Sequence, residues 1–424
     1  MLIYANPNTI TFCEVVTLMK KLLLLIIILL SSCSCSHADT HARFLFIGDI
    51  MTHQQQLDAA HRNGTYDFSP QFRRVKPLLV DSFLVGNLET VFAGTNKKLR
   101  YSGYPLFNTP DVLTDTLNAL SIDLLTLANN HIFDRGAEGA RRTTKVLDSA
   151  DIAWVGLGLD NIPSNDAVLL INNGIRAAFV NHSYGSNLWP RGTTGGNIKQ
   201  KFPASSHDVH LNTTDDASIT HSLERAKALS PDVIIACFHW GYEYHYTPST
   251  YQQKAADTAF MNGATLIVGT HPHVLQPVEI RNVSGDFRAV AWSLGNFVSF
   301  QRTLPRERSY ILSAEFVKSD DGHTRLVKLG AAPLYVIAPG SKRTEVTYAG
   351  THEPTIASLD FTGLSKSQIA NTQSIGRAVI EFLGAQDTVD EYGFYTLWDE
   401  TSADVLPISR RKSPLNAQTR RKTK

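Results

Sequence analysis

The stretch that decides the fold is LIVGTHPH, residues 266–273. A short apolar run, typical of a buried strand, ends at Gly269-Thr270 and leads into two histidines one residue apart. In extended backbone residues i and i+2 face the same way, so the imidazoles of His271 and His273 can converge on one point. Open α/β sheets bind ligands at the carboxyl ends of their strands, and imidazole is the commonest metal-ligating side chain. The stretch alone fits either a metal site beyond a strand or two solvated loop histidines.

Four other apolar runs lead into polar side chains of similar chemistry. These runs lie at 43–47, 83–85, 124–127 and 233–238. The polar residues that follow all five runs are Asp49, Asn87, Glu89, Asn130, His131, His239, His271 and His273. Carboxylate, amide and imidazole groups together suit a divalent metal of hard or borderline character. The sequence therefore predicts a shared metal site for one ion, or for two ions held about 4 Å apart.

Each of these residues also has a structural alternative. Asp49 could cap the helix that follows it, and Asn87 and Asn129 could stabilise turns. Glu89 could be a buried, hydrogen-bonded carboxylate, and His239 could be a surface side chain. The metal interpretation is preferred because it accounts for all of them together, at successive strand ends.

Composition limits the class of protein. The chain has 424 residues, 43% of them hydrophobic, which is ample for a large core, and length alone predicts two to three domains. The formal net charge is +1 and 19% of the residues are charged. Neither value is typical of a nucleic-acid-binding protein or a disordered chain. The four cysteines do not predict a disulfide framework.

The N-terminal segment, residues 1–40, has the pattern of a bacterial export signal and tether. Two lysines precede an apolar run at 22–30, which is shorter than the roughly 20 residues that span a bilayer. The sequence LSSC at 30–33 resembles a lipobox, which predicts a lipid on Cys33, and Met19, directly before the two lysines, is the expected true start of translation. The alternative is a soluble secreted protein with Cys33 in its tail. We expect a lipid-anchored protein of the bacterial cell envelope, on the outer membrane or facing the periplasm.

The rest of the chain divides into three segments by its sequence pattern and composition. Residues 41–304 carry all the polar strand ends and form the predicted main domain. Residues 305–409 form a predicted β-rich C-terminal extension packed on that domain, and 410–424 are a basic tail that we expect to be disordered. Apolar periodicity in the main domain predicts helices at 72–80, 136–148, 217–229 and 248–262.

Six short motifs resemble those of one known family. They are FIGDIM at 46–51, GNLET at 86–90, LANNH at 127–131, FHWGYEY at 238–244, GTHPH at 269–273 and SLGNF at 293–297. These motifs are similar to those of the CapA family, which is associated with poly-γ-glutamate capsule synthesis and belongs with the calcineurin-like metallophosphoesterases. The resemblance extends over roughly residues 44–300. It implies an α/β fold, a four-layer α/β/β/α sandwich with metals at the strand ends.

The resemblance also implies a role for each polar residue. The side chains implied to hold metal are Asp49 and His273 for one ion, and Asn130, His239 and His271 for the other. Glu89, with Asn87, stands where the superfamily has its metal-bridging carboxylate. His131 matches the histidine that contacts the leaving group of the scissile phosphate, so it is the candidate catalytic residue. The expected cofactor is one or two divalent ions of manganese, zinc or iron.

Two positions depart from the superfamily pattern. The phosphoesterases usually have a histidine two residues after the first aspartate, and this chain has Met51 there. The usual bridging aspartate is replaced by Asn87, with Glu89 two residues later. Both departures weaken the first metal position. The site could hold one metal, hold two differently, or bind a substrate without hydrolysing it.

Residues near the expected mouth of the site are candidates for substrate binding. Five of them are basic, namely Lys97, Lys98, Arg100, Arg135 and Arg191. They could bind an anionic polymer such as polyglutamate, or a phosphate ester, and a solvated surface is the alternative for each. Tyr184 and Asn187 belong to a loop, NHSYGSN at 181–187, that resembles a further CapA-family loop and is expected to line the pocket.

The sequence thus predicts a metal-dependent hydrolase or transferase in the assembly of a capsule, of poly-γ-glutamate or of a related envelope polymer. Its partners would be the anionic polymer or a phosphate-ester substrate, the membrane through the lipid anchor, and membrane proteins of capsule synthesis. One competing hypothesis is a non-catalytic polymer-binding or export component that keeps the fold. A third is a general periplasmic phosphoesterase unrelated to capsule.

Overall fold

The computed structural model describes Met19 and residues 39–79, 82–159, 165–187, 209–283, 286–337, 345–349 and 362–401. Cys33 with its lipobox, Arg191 and the basic tail at 410–424 lie outside the described residues. Among the helices that are described, none is long and apolar enough to cross a membrane.

The chain alternates between strands and helices. The strands are β1 (Thr40–Ile50), β2 (His61–Arg62), β3 (Thr65–Tyr66), β4 (Phe83–Leu88), β5 (Ile122–Thr126), β6 (Ala153–Val155), β7 (Leu157–Leu159), β8 (Ala167–Asn172), β9 (Ile175–Ser183), β10 (Val209–Leu211), β11 (Val233–His239), β12 (Leu266–Thr270), β13 (Leu275–Val283), β14 (Asp286–Leu294), β15 (Asn296–Val298), β16 (Arg308–Lys318), β17 (Thr324–Ile337), β18 (Glu345–Tyr348) and β19 (Tyr395–Asp399). The helices are α1 (Gln54–Ala60), α2 (Ser69–Phe72), α3 (Leu113–Ala119), α4 (Gly136–Ser149), α5 (Asp216–Ala228), α6 (Thr250–Met261) and α7 (Lys366–Leu383), with a 3-10 turn at Lys76–Leu78.

Two large sheets contain most of these strands. The first sheet has the order β18-β17-β16-β1-β4-β5-β6, with β15 also paired to β1 and β19 to β17. Strands β1, β4, β5 and β6 are parallel. The second sheet has the order β13-β14-β12-β11-β9-β8, and its four central strands are parallel. Parallel pairing places the carboxyl ends of several strands at one edge of each sheet.

The sheets pack face to face because β1 alternates its side chains. Phe44 and Phe46 point into an apolar layer shared with Phe179 of β9, and the rings of Phe44 and Phe179 lie 6.1 Å apart. Leu45 and Ile47 point the other way, into the layer that holds α3 and α4. This period-two alternation is what a strand covered on both faces requires.

Helices cover the outer faces of both sheets. On the second sheet α5 and α6 pack Leu223 and Ala259 against Ile234 and Ile267. The result is the α/β fold that the sequence predicts, with four layers in the order α/β/β/α. The predicted helix at 72–80 is wrong in extent, because the chain forms α2 and then the 3-10 turn. Pro77 has no N–H group for a helical hydrogen bond and disfavours helical backbone in the residue before it.

The strands beyond residue 304 are part of the first sheet. Strand β16 pairs with β1 along seven consecutive residue pairs, from Thr40↔Lys318 to Phe46↔Leu312, and β17 pairs with β16. Helix α7 adds Val379 and Leu383 to the apolar layer between the sheets. The boundary predicted at residue 304 therefore does not coincide with an edge of this sheet.

Candidate metal centre

The polar strand ends of the two sheets meet at one place. In the first sheet Asp49 lies beside Asn87 in the register of β1 and β4. In the second sheet His239 lies beside Thr270 in the register of β11 and β12. Contacts then cross between the sheets, since Oδ2 of Asp49 is 3.1 Å from Nδ1 of His273. Parallel pairing within each sheet, and packing between them, therefore bring together residues that are distant in sequence.

The turn after β12 directs both of its histidines inward. His271 has a φ of 94° and His273 a φ of 56°, values in the left-handed region that non-glycine residues rarely adopt. The backbone N–H of His271 donates a hydrogen bond to Oδ2 of Asp49 over 3.3 Å. Both side chains are buried. The strained backbone of this turn therefore orients two imidazoles toward Asp49 and its neighbours.

Glu89 lies at the centre of this cluster. It is fully buried, and neither carboxylate oxygen receives a hydrogen bond from the described residues. Its Oε1 lies 3.6 Å from Nε2 of His239, 3.8 Å from Nε2 of His273 and 4.0 Å from Nε2 of His131. Burial, and then the nearby carboxylate of Asp49, raise the pKa of Glu89 well above its ordinary value. Burying an ionised carboxylate without a partner is unfavourable, and a bound cation would offset that cost.

Two of the nearby imidazoles, those of His239 and His271, favour the neutral form. Burial lowers the pKa of His239 and of His271 well below the ordinary value for histidine, and neighbouring imidazoles lower both further. Nδ1 of His271 has no hydrogen-bond partner among the described residues. Neutral imidazole with a free ring nitrogen is the form that binds a metal.

The donor set fits a divalent metal on these grounds. Ligand atoms within 4.8 Å of one another form two groups, Glu89 with His271 and His273, and Asp49 with Glu89 and His239. Glu89 belongs to both groups, which fits a carboxylate shared between two positions. The groups divide the residues differently from the pairing implied by resemblance, which joins Asp49 to His273. Which residue holds which ion stays a prediction.

Asn87 is turned so that its amide nitrogen faces the carboxylate. Its Nδ2 donates to Oδ1 of Asp49 over 2.7 Å, and its Oδ1 accepts from Thr126 and Asn129 over 3.2 and 3.3 Å. An amide NH₂ group cannot ligate a cation, so in this arrangement Asn87 positions Asp49. Met51 is buried, as expected for a packing residue.

Asn130 and His131 extend the cluster toward the mouth. Oδ1 of Asn130 is 2.8 Å from Nε2 of His239, so both atoms face the same point. Nδ1 of His131 is 2.8 Å from Oδ2 of Asp134. The Asp134 carboxylate accepts a hydrogen bond from the N–H at Nδ1. This orients the ring so that Nε2 of His131 faces Glu89.

The predicted substrate-binding residues take different places. The ring of Tyr184 lies 4.5 Å from that of His271, and Nδ2 of Asn187 lies 3.3 Å from Nε2 of His131, so both residues border the cluster. Arg135 instead donates to the carbonyls of Leu106 and Phe107 and to the hydroxyl of Ser102.

Those bonds hold Arg135 to the 102–107 loop, with its guanidinium engaged there. Arg100 is exposed, and its carbonyl accepts a hydrogen bond from Asn108. Neither contact places an arginine beside the metal cluster, and substrate binding by Arg100 or Arg135 stays a prediction.

Known proteins share this sequence pattern. The family described as "Bacterial capsule synthesis protein PGA_cap" matches residues 43–301, more than half of the chain. The chain belongs to this family. A "Capsule biosynthesis protein CapA" of Bacillus anthracis is 30% identical over 256 residues, which are 59% of this chain and 58% of that protein. A "PGA biosynthesis protein CapA" of Bacillus subtilis (strain 168) is 25% identical over 329 residues, 76% of this chain and 75% of that protein. The chain thus spans less than two thirds of the Bacillus anthracis relative.

The sequence did not single out three further residues, namely Asn296 and Asp134, which contact cluster residues, and His53, which lies near them. Oδ1 of Asn296 lies 2.8 Å from Nδ1 of His273, and Asp134 holds His131. Burial, with nearby imidazoles, lowers the pKa of His53 to about 4, and its Nδ1 accepts from the N–H of Phe300. Asp134 follows His131 by three residues and Asn296 lies in the SLGNF motif, so both had a local signal, whereas His53 had none.

Proposed function

We propose that this protein is a metal-dependent hydrolase or transferase that acts in the synthesis of a capsule, of poly-γ-glutamate or of a related anionic polymer. The names of the Bacillus relatives support the polymer. The observation that carries the chemistry is Glu89, a fully buried carboxylate that accepts no hydrogen bond from the described residues. Three imidazole nitrogens surround it at 3.6–4.0 Å.

The chain supplies the ligands and a place for the reacting group. Asp49, Glu89, His239, His271 and His273 would hold the divalent ion, and their oxygen and nitrogen donors suit manganese, zinc or iron. Such an ion supplies Lewis acidity and makes bound water a nucleophile near neutral pH. Asn87 holds Asp49 in place, and Asn296 holds His273.

His131 is the residue that would hold a proton for the leaving group. Its Nδ1 proton is bound by Asp134, which also accepts the N–H of Phe107 over 2.7 Å. This hydrogen bond fixes the tautomer and the orientation of the ring, so that Nε2 faces the cluster, where it could exchange a proton with the leaving group. Nδ2 of Asn187 lies 3.3 Å from the same Nε2 and could donate to it only when that nitrogen carries no proton.

We further propose that the protein works at the cell envelope. A lipid on Cys33 would tether it to the membrane, where it would meet the growing polymer and the membrane proteins that make or export it. The LSSC sequence at 30–33, after a short apolar run, supports this proposal.

The test uses the purified chain from residue 39 onward. Its metal content would be measured, together with turnover of a phosphodiester and of a γ-glutamyl peptide in the presence of manganese, zinc or iron. We expect near-stoichiometric metal and turnover of one substrate. The Asp134→Asn variant should keep its metal and lose about 10²-fold in turnover, because general acid catalysis contributes about 10²–10⁴-fold. Metal-free, inactive protein under all conditions would contradict the proposal.

A second candidate is a polymer-binding or export component without turnover. Met51 and Asn87 favour it, because each stands where the superfamily has a metal ligand and neither offers a hard ligand atom to the cluster. Polymer binding that is unaffected by His131→Ala, in a protein without turnover in any metal, would establish this candidate instead.

A further inference from the structure

Arg306 places a cation at the border of the cluster, on the side of His273. It lies between β15 and β16, with its guanidinium carbon 3.6 Å from the ring centroid of Tyr244. The ring of Tyr244 lies 6.2 Å from that of His273. The carbonyl of Arg306 accepts a hydrogen bond from Nδ2 of Asn296 over 3.0 Å, and Asn296 contacts His273. The side chain and the main chain of Arg306 thus both contact residues on the His273 side of the cluster.

The guanidinium is held in place and yet free to bind. Stacking on an aromatic ring uses its flat face and leaves its five N–H donors at the edge. Among the described residues, no group forms a hydrogen bond or an ion pair with this guanidinium. Arg302 differs, since it is 3.0 Å from Glu307 and donates to the carbonyl of Val336. Arg306 is therefore a half-buried, preorganised cation whose N–H donors have no hydrogen-bond partner within the described part of the chain.

Tyr244 is a stable support for this cation. Its backbone N–H donates to the carbonyl of Pro272, between the two histidines of the turn, over 2.8 Å. The face of the Tyr244 ring attracts the guanidinium through the cation–π interaction.

We propose that Arg306, held on Tyr244, binds an oxyanion of the substrate that neighbours the group engaged at the metal cluster. A γ-linked glutamate chain carries a free carboxylate on each residue, and a phosphate-linked chain carries a phosphate in each repeat. Either chain presents an oxyanion one unit away from the reacting bond. The inference rests on the proposed function for the polymeric substrate, and it names the residue that selects a charged chain over an uncharged one.

The experiment measures binding by calorimetry, so it does not depend on turnover. The probes are tri-γ-glutamate, the same peptide with its α-carboxylates converted to amides, and a glycerol-phosphate trimer. We expect Arg306→Gln to reduce the preference for a charged probe over the amide by about tenfold or more, since hydrogen bonds to charged groups are strong. Arg306→Lys should fall between, because lysine keeps the charge but not the planar fork. The charged probe whose binding is weakened by Arg306→Gln identifies the group bound by Arg306 as a carboxylate or a phosphate.

Lys227→Gln is the matched control. Lys227 is exposed in the last turn of α5, at the opposite end of β11 from His239, and its loss should leave the preference unchanged. An unchanged preference in Arg306→Gln would overturn the proposal, as would an equal effect of Lys227→Gln or an unaltered protein that binds neither charged probe. If the unaltered protein prefers a charged probe, Arg306→Gln reduces that preference and no turnover is found, the role of Arg306 would be supported and the proposed reaction contradicted.

Discussion

At the scale of single residues, His271 is the most direct test of the metal centre. Its Nδ1 is buried without a partner among the described residues. We expect His271→Ala to lower metal affinity by more than the roughly 10–100-fold typical of an outer partner. Elemental analysis after dialysis would measure this. The exposed His221→Ala on α5 is the control, and unaltered metal content in His271→Ala would refute the assignment.

His182 on β9 should make stability depend on pH. Burial lowers its pKa to about 4, and its hydrogen bond to the Thr213 carbonyl, with Asp166 and Asp215 nearby, offsets this only in part. The unfolded chain therefore binds a proton between about pH 6.5 and 4 that the folded chain excludes. Stability is retained above pH 6.5 and falls toward pH 4, by up to about 3 kcal/mol from this one group.

The check is urea denaturation at pH 7 and pH 5 in the presence of a chelator. His182→Gln should lose less stability between the two values than the unaltered chain does, because the amide does not titrate. The exposed His221→Gln should keep the original dependence. Equal losses in His182→Gln and the unaltered chain would show that His182 does not contribute.

Most of the polar residues that meet at the cluster were predictable, because they follow apolar runs in the sequence, whereas Asp134, Asn296 and His53 were not predicted. The mutual contacts of the site residues were not predictable. The 3.1 Å approach of Asp49 to His273 joins residues on different sheets, and no local pattern encodes how two sheets pack. The orientation of the Asn87 amide was equally hidden, since it depends on the donors Thr126 and Asn129.

At the scale of elements, the close approach of β1 to the turn before β15 positions the cluster. A Cβ atom on Gly48 would lie 1.8 Å from the carbonyl oxygen of Gly295, and the N–H of Asp49 donates to that oxygen. Only glycine allows this approach. It sets the distance between Asp49 and Asn296, and through Asn296 the position of His273.

We therefore expect Gly48→Ala to destabilise the protein by about 1–3 kcal/mol or more, as overpacking does, and also to weaken metal binding. Denaturation and metal titration would measure the two effects. Gly322→Asn is the control, because that glycine has a φ of +83° in an open turn and asparagine tolerates such backbone. A loss below about 0.5 kcal/mol in Gly48→Ala, the usual range for surface changes, would contradict the argument.

Element types were predicted better than element partners. Periodicity predicts the helices α4, α5 and α6 and the strands β11 and β12, whereas the helix predicted at 72–80 is replaced by the end of α2 and the 3-10 turn at Lys76–Leu78. The pairing of β16 with β1 was not predicted, because Thr40 and Lys318 are far apart in sequence. Contacts of that separation leave no periodic signal in either strand.

At the scale of the whole molecule, the family match ends before the sheet does. The match stops at residue 301, whereas β16 and β17 continue the first sheet beyond β1. A chain that ends at Gln301 would expose the edge of β1 and the apolar layer between the sheets. Unpaired edges and exposed apolar surfaces lead to aggregation.

We expect the chain that ends at Gln301 to be insoluble or aggregated, and the chain that ends at Thr401 to remain folded. Gel filtration and thermal unfolding would compare them. A soluble, cooperatively unfolding fragment ending at Gln301 would show that the C-terminal strands are dispensable for the fold.

The left-handed backbone of His271 and His273 lowers the stability of the fold while it orients the two imidazoles. Backbone strain of this kind costs about 1–3 kcal/mol per residue, and glycine relieves it. In metal-free protein His271→Gly should therefore be more stable than His271→Ala, which keeps the strained φ of 94° without the ligand. Laboratory evolution that selects for heat resistance alone should consequently replace His271 and His273 early, because it rewards relief of the strain and does not reward the proposed metal site.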